Sequence, residues 1–160
     1  MRIIGLDPSL SSTGWGIIEV NGNRLQYVAD GFIPTDAKTP IEQRLNIIFR
    51  TLSEVISTYQ PQEAAIEKTF LNQNPESSLK LSMARGAVVL VAGYHNIPLY
   101  EFEPNKVKKA LVGVGHADKK QVETMIKILL PGCQPKNNDS SDALAMAITR
   151  SHYRTTVGIK

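Results

Sequence analysis

Apolar residues fill Arg2 to Leu6 as a short run closed by Asp7-Pro8-Ser9, which predicts a buried strand that stops at a turn and leaves Asp7 at its end. The run WGIIEV up to Val20 predicts a second strand. Asn21-Gly22, a strong two-residue hairpin signal, leads into a third from about Leu25 to Ile33, so the chain opens as an antiparallel meander. Pro40 suits the first turn of a helix. Ile41, Leu45, Ile48, Leu52, Val55, Ile56 and Tyr59 then repeat at helical spacing up to Pro61.

Glu63-Ala64-Ala65-Ile66-Glu67 is short and mostly apolar, as a buried strand reached by a crossover would be, with Glu67 at its end. From Ser77 to His95 small and apolar residues predict a helix buried on more than one side. A fifth strand follows from Pro98 to Phe102, then helices from Pro104 to about Leu111 and from Asp118 to Leu130. After the loop PGCQPKNN, Asp139 or Ser140 would cap a last helix carrying Ala143, Leu144, Ala147 and Ile148. A strand-rich first half followed by alternating strands and helices implies an α/β fold, a mixed five-stranded sheet with helices on its faces.

Composition narrows the class without choosing a function. The chain has 160 residues, 42% hydrophobic and 21% charged, which suits one globular domain of roughly 100–200 residues and not a disordered segment. No apolar run approaches the roughly 20 residues that span a bilayer, and Asp7 interrupts the start before a signal-peptide core could form. The single cysteine, Cys133, has no partner for a disulfide and no second cysteine for a zinc site, so a cytoplasmic location is expected.

Four acids stand where sites are usually built: Asp7 and Glu67 at strand ends, Asp139 and Asp142 three apart on the last helix. Ligands of open α/β sheets bind beyond the carboxyl ends of strands, so Asp7 and Glu67 would converge if their strands are parallel neighbours. Clustered carboxylates repel one another unless a cation neutralises them, and hard oxygen donors suit Mg²⁺ or Mn²⁺. Two such ions can activate water and stabilise the leaving oxygen of a phosphodiester. The plainer alternative makes Asp7 a turn residue, Glu67 a solvated loop acid, Asp139 a helix cap and Asp142 a complement to the helix dipole. Glu101 and Glu103, at the end of the fifth strand, compete for a metal role, although Glu103 before Pro104 suits a helix entry.

The net charge of +3 and pI near 9.0 permit nucleic-acid binding without requiring it. Lys106, Lys108, Lys109, Lys119, Lys120, Lys127 and Lys136, however, share a stretch whose acids are Asp118 and Glu123 alone. That basic half suits phosphates, or else forms an ordinary solvated face. Phe70, in the polar loop KTFLNQNPESS, is placed either to stack on a nucleobase or to tuck into the domain. Gly113-Val114-Gly115 does not follow a strand as a dinucleotide loop must. His95, His116 and His152 lack metal-ligand spacing, though His116 lies in the basic half.

The blocks IIGLDPSLSSTGWGII, AIEKTFLNQNPESSLKLSMARG, KVKKALVGVGHADKKQV and DSSDALAMAIT, in that order, resemble the bacterial RuvC Holliday-junction resolvases from about residue 1 to 152. The resemblance implies a ribonuclease-H-like nuclease domain over 1–152, with 153–160 as a flexible tail. It implies a homodimer that makes paired symmetric nicks in four-way junction DNA with Mg²⁺, two ions per site and Mn²⁺ able to substitute, leaving 5′-phosphate and 3′-hydroxyl ends. By motif, Asp7, Glu67, Asp139 and Asp142 would be the catalytic and metal-binding acids. Phe70 would contact bases beside the junction centre, and Lys108 and Lys119 would be functional basic residues. Preference for thymine-containing sequences and work beside the RuvA–RuvB branch-migration proteins are implied as well. Ser9 stands where the family usually has Gly, and Asp142 where some members have His.

Three other readings compete. A junction-binding module without catalysis would use the acids as caps. DPSLSSTG is similar to the phosphate loop of actin-like ATPases, whose second domain this chain lacks. RuvX-type nucleases share the fold, but the DSSDALAMAIT ending and the basic stretch fit RuvC better. The small residues Ala84, Gly86, Ala87, Ala92 and Gly93 suggest a helix face that a second copy could approach closely.

Overall fold

A computed structural model describes residues 1–69 and 73–157. Strands β1 (Arg2–Asp7), β2 (Ser12–Asn21) and β3 (Arg24–Pro34) form the expected antiparallel meander. Helix α1 (Ile41–Tyr59) crosses over to β4 (Glu63–Glu67), which pairs parallel with β1, and α2 (Pro75–Tyr94) leads to β5 (Leu99–Phe102), parallel to β4. The strand order is β3-β2-β1-β4-β5. Helices α3 (Pro104–Val112), α4 (Lys119–Leu129) and α5 (Asn138–Val157) complete the chain.

Strand pleating divides the core. Ile3, Ile18, Ala65 and Phe102 face α3, α4 and α5, where Val107, Leu111, Ile126 and Leu144 are buried. Their neighbours Ile4, Ile17 and Ile66 face α1 and α2, against Ile48, Leu52, Ala84 and Val88. Covering both faces explains why β1 reads as an unbroken apolar run: Ile3, Ile4 and Leu6 are all at most 2% exposed. The same two-residue period sends Gly5 and Asp7 to the side of Ile3, and Glu63 and Glu67 to the side of Ala65.

Helix ends are set by capping chemistry. Asn74 Oδ1 accepts the Glu76 and Ser77 amides at 3.1 and 3.2 Å, with Pro75 in the first turn, so α2 starts two residues before the position expected from periodicity. Pro40 is the N-cap of α1, one position before the first turn expected for it. Asp118 and Gln121 form a reciprocal capping box on α4.

Two expectations need correction. Helix α2 buries one face through Ala84, Val88, Val91 and Ala92, while Leu79 (57% exposed), Val89, Leu90 (60%) and Tyr94 (68%) lie open, because among the described residues it packs chiefly on α1 and the sheet. The flexible tail expected from residue 153 is helix through Val157, and Tyr153 stacks on Phe102 with centroids 5.4 Å apart. That aromatic contact extends the folded part beyond 152.

Candidate active site

Asp7 and Glu67 reach the same place because β1 and β4 are parallel and in register, Leu6 opposite Ile66, and both acids follow on the α5 face of the sheet. The adjacency that the sequence left conditional is present. Helix α5 then comes unusually close to the sheet. A Cβ on Gly5 would lie 1.8 Å from the Ala143 carbonyl oxygen, and one on Gly14 would lie 2.1 Å from that of Asp139. Gly16, paired with Gly5, leaves room for Leu144. Glycine is thus required here for backbone contact, and it sets the start of α5 beside Asp7, whose β2 partner is Gly14.

The cap of α5 is Asn137, not Asp139 or Ser140 as expected. Asn137 Oδ1 accepts the Ser140 amide at 2.8 Å, and the Asn137 amide donates to Ser140 Oγ at 3.1 Å. This reciprocal pair relieves Asp139 of capping, which removes the plain explanation of that residue. Asp139 and Asp142 occupy the first turns of α5 on the site side.

Electrostatics records how the acids crowd. Burial pushes Asp7 up to about 8, reinforced by Asp142, Asp139 and Glu67 and opposed by Lys119. Burial, then Asp142, raises Glu67, while Lys108 opposes the rise. Burial also raises Asp142, against the pull of Lys119, whose Nζ lies 3.6 Å from Asp142 Oδ2. A solvated turn residue, a loop acid or an exposed complement to the helix dipole would not be perturbed as Asp7, Glu67 and Asp142 are. Among the described residues, no three His, Cys, Asp or Glu side chains already form a group able to hold an ion.

Glu67, Asp142, Lys108 and Lys119 line one cleft of about 260 Å³, floored by Val107, Ala145 and Met146. Lys108 is half-buried, whereas Lys106, Lys109, Lys119, Lys120, Lys127 and Lys136 are exposed. Two basic positions therefore sit against the acids and the others remain on the surface. Phe70 lies outside the described residues.

The rival acids have other employment. Arg85 Nη2 donates to Glu101 Oε1 at 2.9 Å, and Glu103 is the N-cap residue of α3 with no side-chain cap bond. His95 packs edge-on against Tyr94 and His152 against Tyr153; His116 is exposed between α3 and α4. Ser9 keeps an ordinary backbone conformation and takes part in a tight turn, its carbonyl accepting Thr13 Oγ1 at 2.6 Å, so the departure from Gly is accommodated.

Sequence reasoning missed two kinds of site-building residue. Gly5, Gly14 and Gly16 were legible only as strand glycines, although their alternate spacing on adjacent strands was a signal of close approach. Arg85 was not singled out, yet its Nη1 donates to the Glu67 main-chain oxygen at 2.9 Å and fixes the end of β4 from α2.

A carboxylate cluster at parallel strand ends, closed by a helix N-terminus and edged with lysines, defines an α/β nuclease domain on a mixed five-stranded sheet. The family model for crossover junction endodeoxyribonuclease RuvC matches residues 3–150, and the chain belongs to that family. It is 47% identical over 160 residues to crossover junction endodeoxyribonuclease RuvC of Bradyrhizobium diazoefficiens, covering 100% of this chain and 91% of that protein. The protein of the same name from Bartonella henselae is 44% identical over 154 residues, covering 96% and 91%. Thermus thermophilus RuvC in complex with a Holliday junction substrate superposes with a TM-score of 0.92 at 30% identity, covering 98% of this chain and 96% of that one.

Proposed function

We propose that this chain resolves four-way DNA junctions in recombination and repair by metal-dependent hydrolysis of phosphodiester bonds, with Asp7, Glu67, Asp139 and Asp142 as the catalytic and metal-binding acids. The observation that carries the reading is the convergence of these acids, with Asp7 held near a pKa of 8. Membership in a family of crossover junction endodeoxyribonucleases supports the substrate.

The donor set fits a hard divalent cation: every candidate ligand is a carboxylate, and their mutual repulsion is what a cation relieves. We assign Mg²⁺, two per site, with Mn²⁺ as a substitute. When bound, the ions activate water and stabilise the leaving oxygen. Asp7 and Glu67, fixed on adjacent strands, give the rigid half of the ligand set. Asp139 and Asp142 complete it from α5, and each can orient water. Asp7, whose buried carboxyl is pushed up to about 8, would have to give up its proton to hold a cation near neutral pH. Lys119, beside Asp142, and Lys108, beside Glu67, offset charge developing on the phosphate. Phe70 is assigned to unpaired bases near the crossover, and the exposed lysines to phosphates of the arms. Hydrolysis leaves 5′-phosphate and 3′-hydroxyl ends, at thymine-containing sequences.

Symmetric cleavage needs two such sites, and a homodimer through the outer face of α2 supplies them. Leu79, Val89, Leu90 and Tyr94 are exposed there, and a Cβ on Gly86 or Gly93 would meet nothing within 4 Å, so a partner backbone can come close. Action in the cytoplasm beside the RuvA and RuvB branch-migration proteins completes the proposal. No described helix is long and apolar enough to cross a membrane.

The test compares a synthetic mobile four-way junction with linear duplex of matched sequence, in Mg²⁺ or EDTA. Paired, ligatable nicks confined to the junction and dependent on metal support the reading. Metal-independent binding without any nicking, across metals and sequences, would reduce the chain to a junction-binding module.

A further inference from the structure

Asp30 is a wholly buried acid, 0% exposed, that the proposed chemistry does not use. It lies on β3 opposite Gly16, on the sheet face that receives α5. One carboxylate oxygen accepts the Tyr27 hydroxyl at 2.5 Å, and the other accepts the Lys136 amide at 2.8 Å. The second bond joins positions 106 residues apart in sequence. Lys136 immediately precedes Asn137, whose side chain caps α5 and whose amide donates to Ser140 Oγ. A buried carboxylate is costly unless its lone pairs are satisfied, so this acid is retained with donors matched to both oxygens.

We infer that Asp30 is a positioning residue for Asp139 and Asp142: it anchors the segment entering α5 and so fixes where the helix N-terminus, with its two acids, stands over Asp7. The inference rests on the proposed reading of the acid cluster. Geometry gives the anchor two companions, Gly14 against Asp139 and Gly5 against Ala143, which limit how near α5 comes to the sheet. Contact at those glycines sets the depth of the helix. The Asp30 bond to Lys136 sets its entry along the strand direction, which the glycines leave free. The surrounding titratable groups are Tyr27 and Cys133, with Lys127 beyond Cys133. Burial raises both Tyr27 and Cys133, and Asp30 raises both further, so neither supplies a negative charge that could replace the anchor near neutral pH.

The required property is hydrogen-bond acceptance toward Lys136, and this separates two substitutions. Asp30→Asn keeps an oxygen for the Lys136 amide and can donate to the Tyr27 hydroxyl oxygen from Nδ2. Asp30→Val removes the acceptor and leaves the amide and hydroxyl unpaired.

The experiment follows both variants with wild type at a temperature well below each unfolding midpoint, in three readouts. These are Mn²⁺ binding by calorimetry on the free protein, single-turnover junction cleavage against metal concentration, and hydrogen exchange of the amides at 137–142 in EDTA. Asp30→Val is expected to weaken Mn²⁺ binding at least 10-fold, slow cleavage at saturating metal about 10-fold, and accelerate exchange at 137–142 while β1 and β4 stay protected. Asp30→Asn is expected to remain within about 3-fold of wild type in all three. Unchanged Mn²⁺ binding and local exchange in a folded Asp30→Val would overturn the inference. Equal loss in Asp30→Asn would overturn it too, by showing that charge is what matters. If Asp30→Val does not fold, Tyr27→Phe decides: it frees one carboxylate oxygen but keeps the Lys136 bond, and wild-type metal affinity is expected, whereas a 10-fold loss overturns the proposed route through Lys136. Wild type that neither binds Mn²⁺ nor cleaves would instead refute the reading of the acid cluster.

Discussion

Replacing Gly14 with Ala tests the packing that places α5 over the acids. The added Cβ would sit 2.1 Å from the Asp139 carbonyl oxygen and 2.3 Å from its carbonyl carbon, both backbone atoms that cannot swing aside as a side-chain end can. Ordinary contact begins at 3.4 Å, so separating the Cβ from that oxygen takes about 1.3 Å, the difference between 3.4 and 2.1 Å. A misplacement of about 1 Å in a catalytic constellation can cost roughly 100-fold in rate. Overpacking costs about 1–3 kcal/mol, which lowers the melting temperature by roughly 2–12 °C in a domain of this size. We therefore expect Gly14→Ala to stay folded at 25 °C, bind junction DNA in EDTA within about 3-fold of wild type, and cleave about 100-fold more slowly in single turnover. The assay is burst-free cleavage of a labelled junction by excess protein, with thermal unfolding measured in parallel. Wild-type cleavage by Gly14→Ala would refute the claim that a bare strand glycine sets the position of Asp139.

Other expectations follow from the same geometry. Metal-free protein should lose stability as pH rises from about 4 to about 8, because folding raises the Asp7 pKa from 3.8 to about 8 and so disfavours its ionised form; Asp7→Asn should flatten that decline, as thermal melts in EDTA against pH would show. Lys119→Met removes the cation that favours ionisation of Asp7 and Asp142, so the alkaline-going rise of cleavage with pH should move to higher pH and the plateau fall about 10-fold, read from a pH–rate profile. Arg85→Met frees the Glu67 carbonyl and should slow cleavage about 10-fold with little change in junction affinity in EDTA, measured by single turnover and gel shift. Leu90→Glu places a charge on the exposed face of α2, and light scattering should show the proposed dimer in wild type and a monomer in the variant.

The fold was legible where period and punctuation agreed. The meander, the crossover to β4 and the helices after β5 follow from apolar runs broken by Asn-Gly, Pro and Asp. Candidate acids were legible as strand-end and helix-start positions, although turn, loop, cap and dipole roles stayed open for them on spacing alone. Convergence was not legible, because it depends on β1 and β4 being neighbours in register, a long-range pairing. The Asn137 cap was missed because Asn138, Asp139 and Ser140 are all competent capping types, and only hydrogen bonding selects among them. The open face of α2 was misread because small and apolar residues around the whole helix look alike whether covered by the same chain or by a partner. Asp30 and Arg85 escaped notice for a common reason: each acts on a main-chain group remote in sequence.

Single-turnover cleavage of a mobile four-way junction by wild type and by Asp7→Asn, in Mg²⁺, with junction affinity measured in EDTA, tests the central assignment most directly. Asp7→Asn deletes one of the proposed carboxylate ligands and leaves the lysines intact, so cleavage is expected to be abolished, at least 1,000-fold, while affinity stays within about 3-fold. Cleavage retained by Asp7→Asn, or affinity lost in step with cleavage, would contradict it.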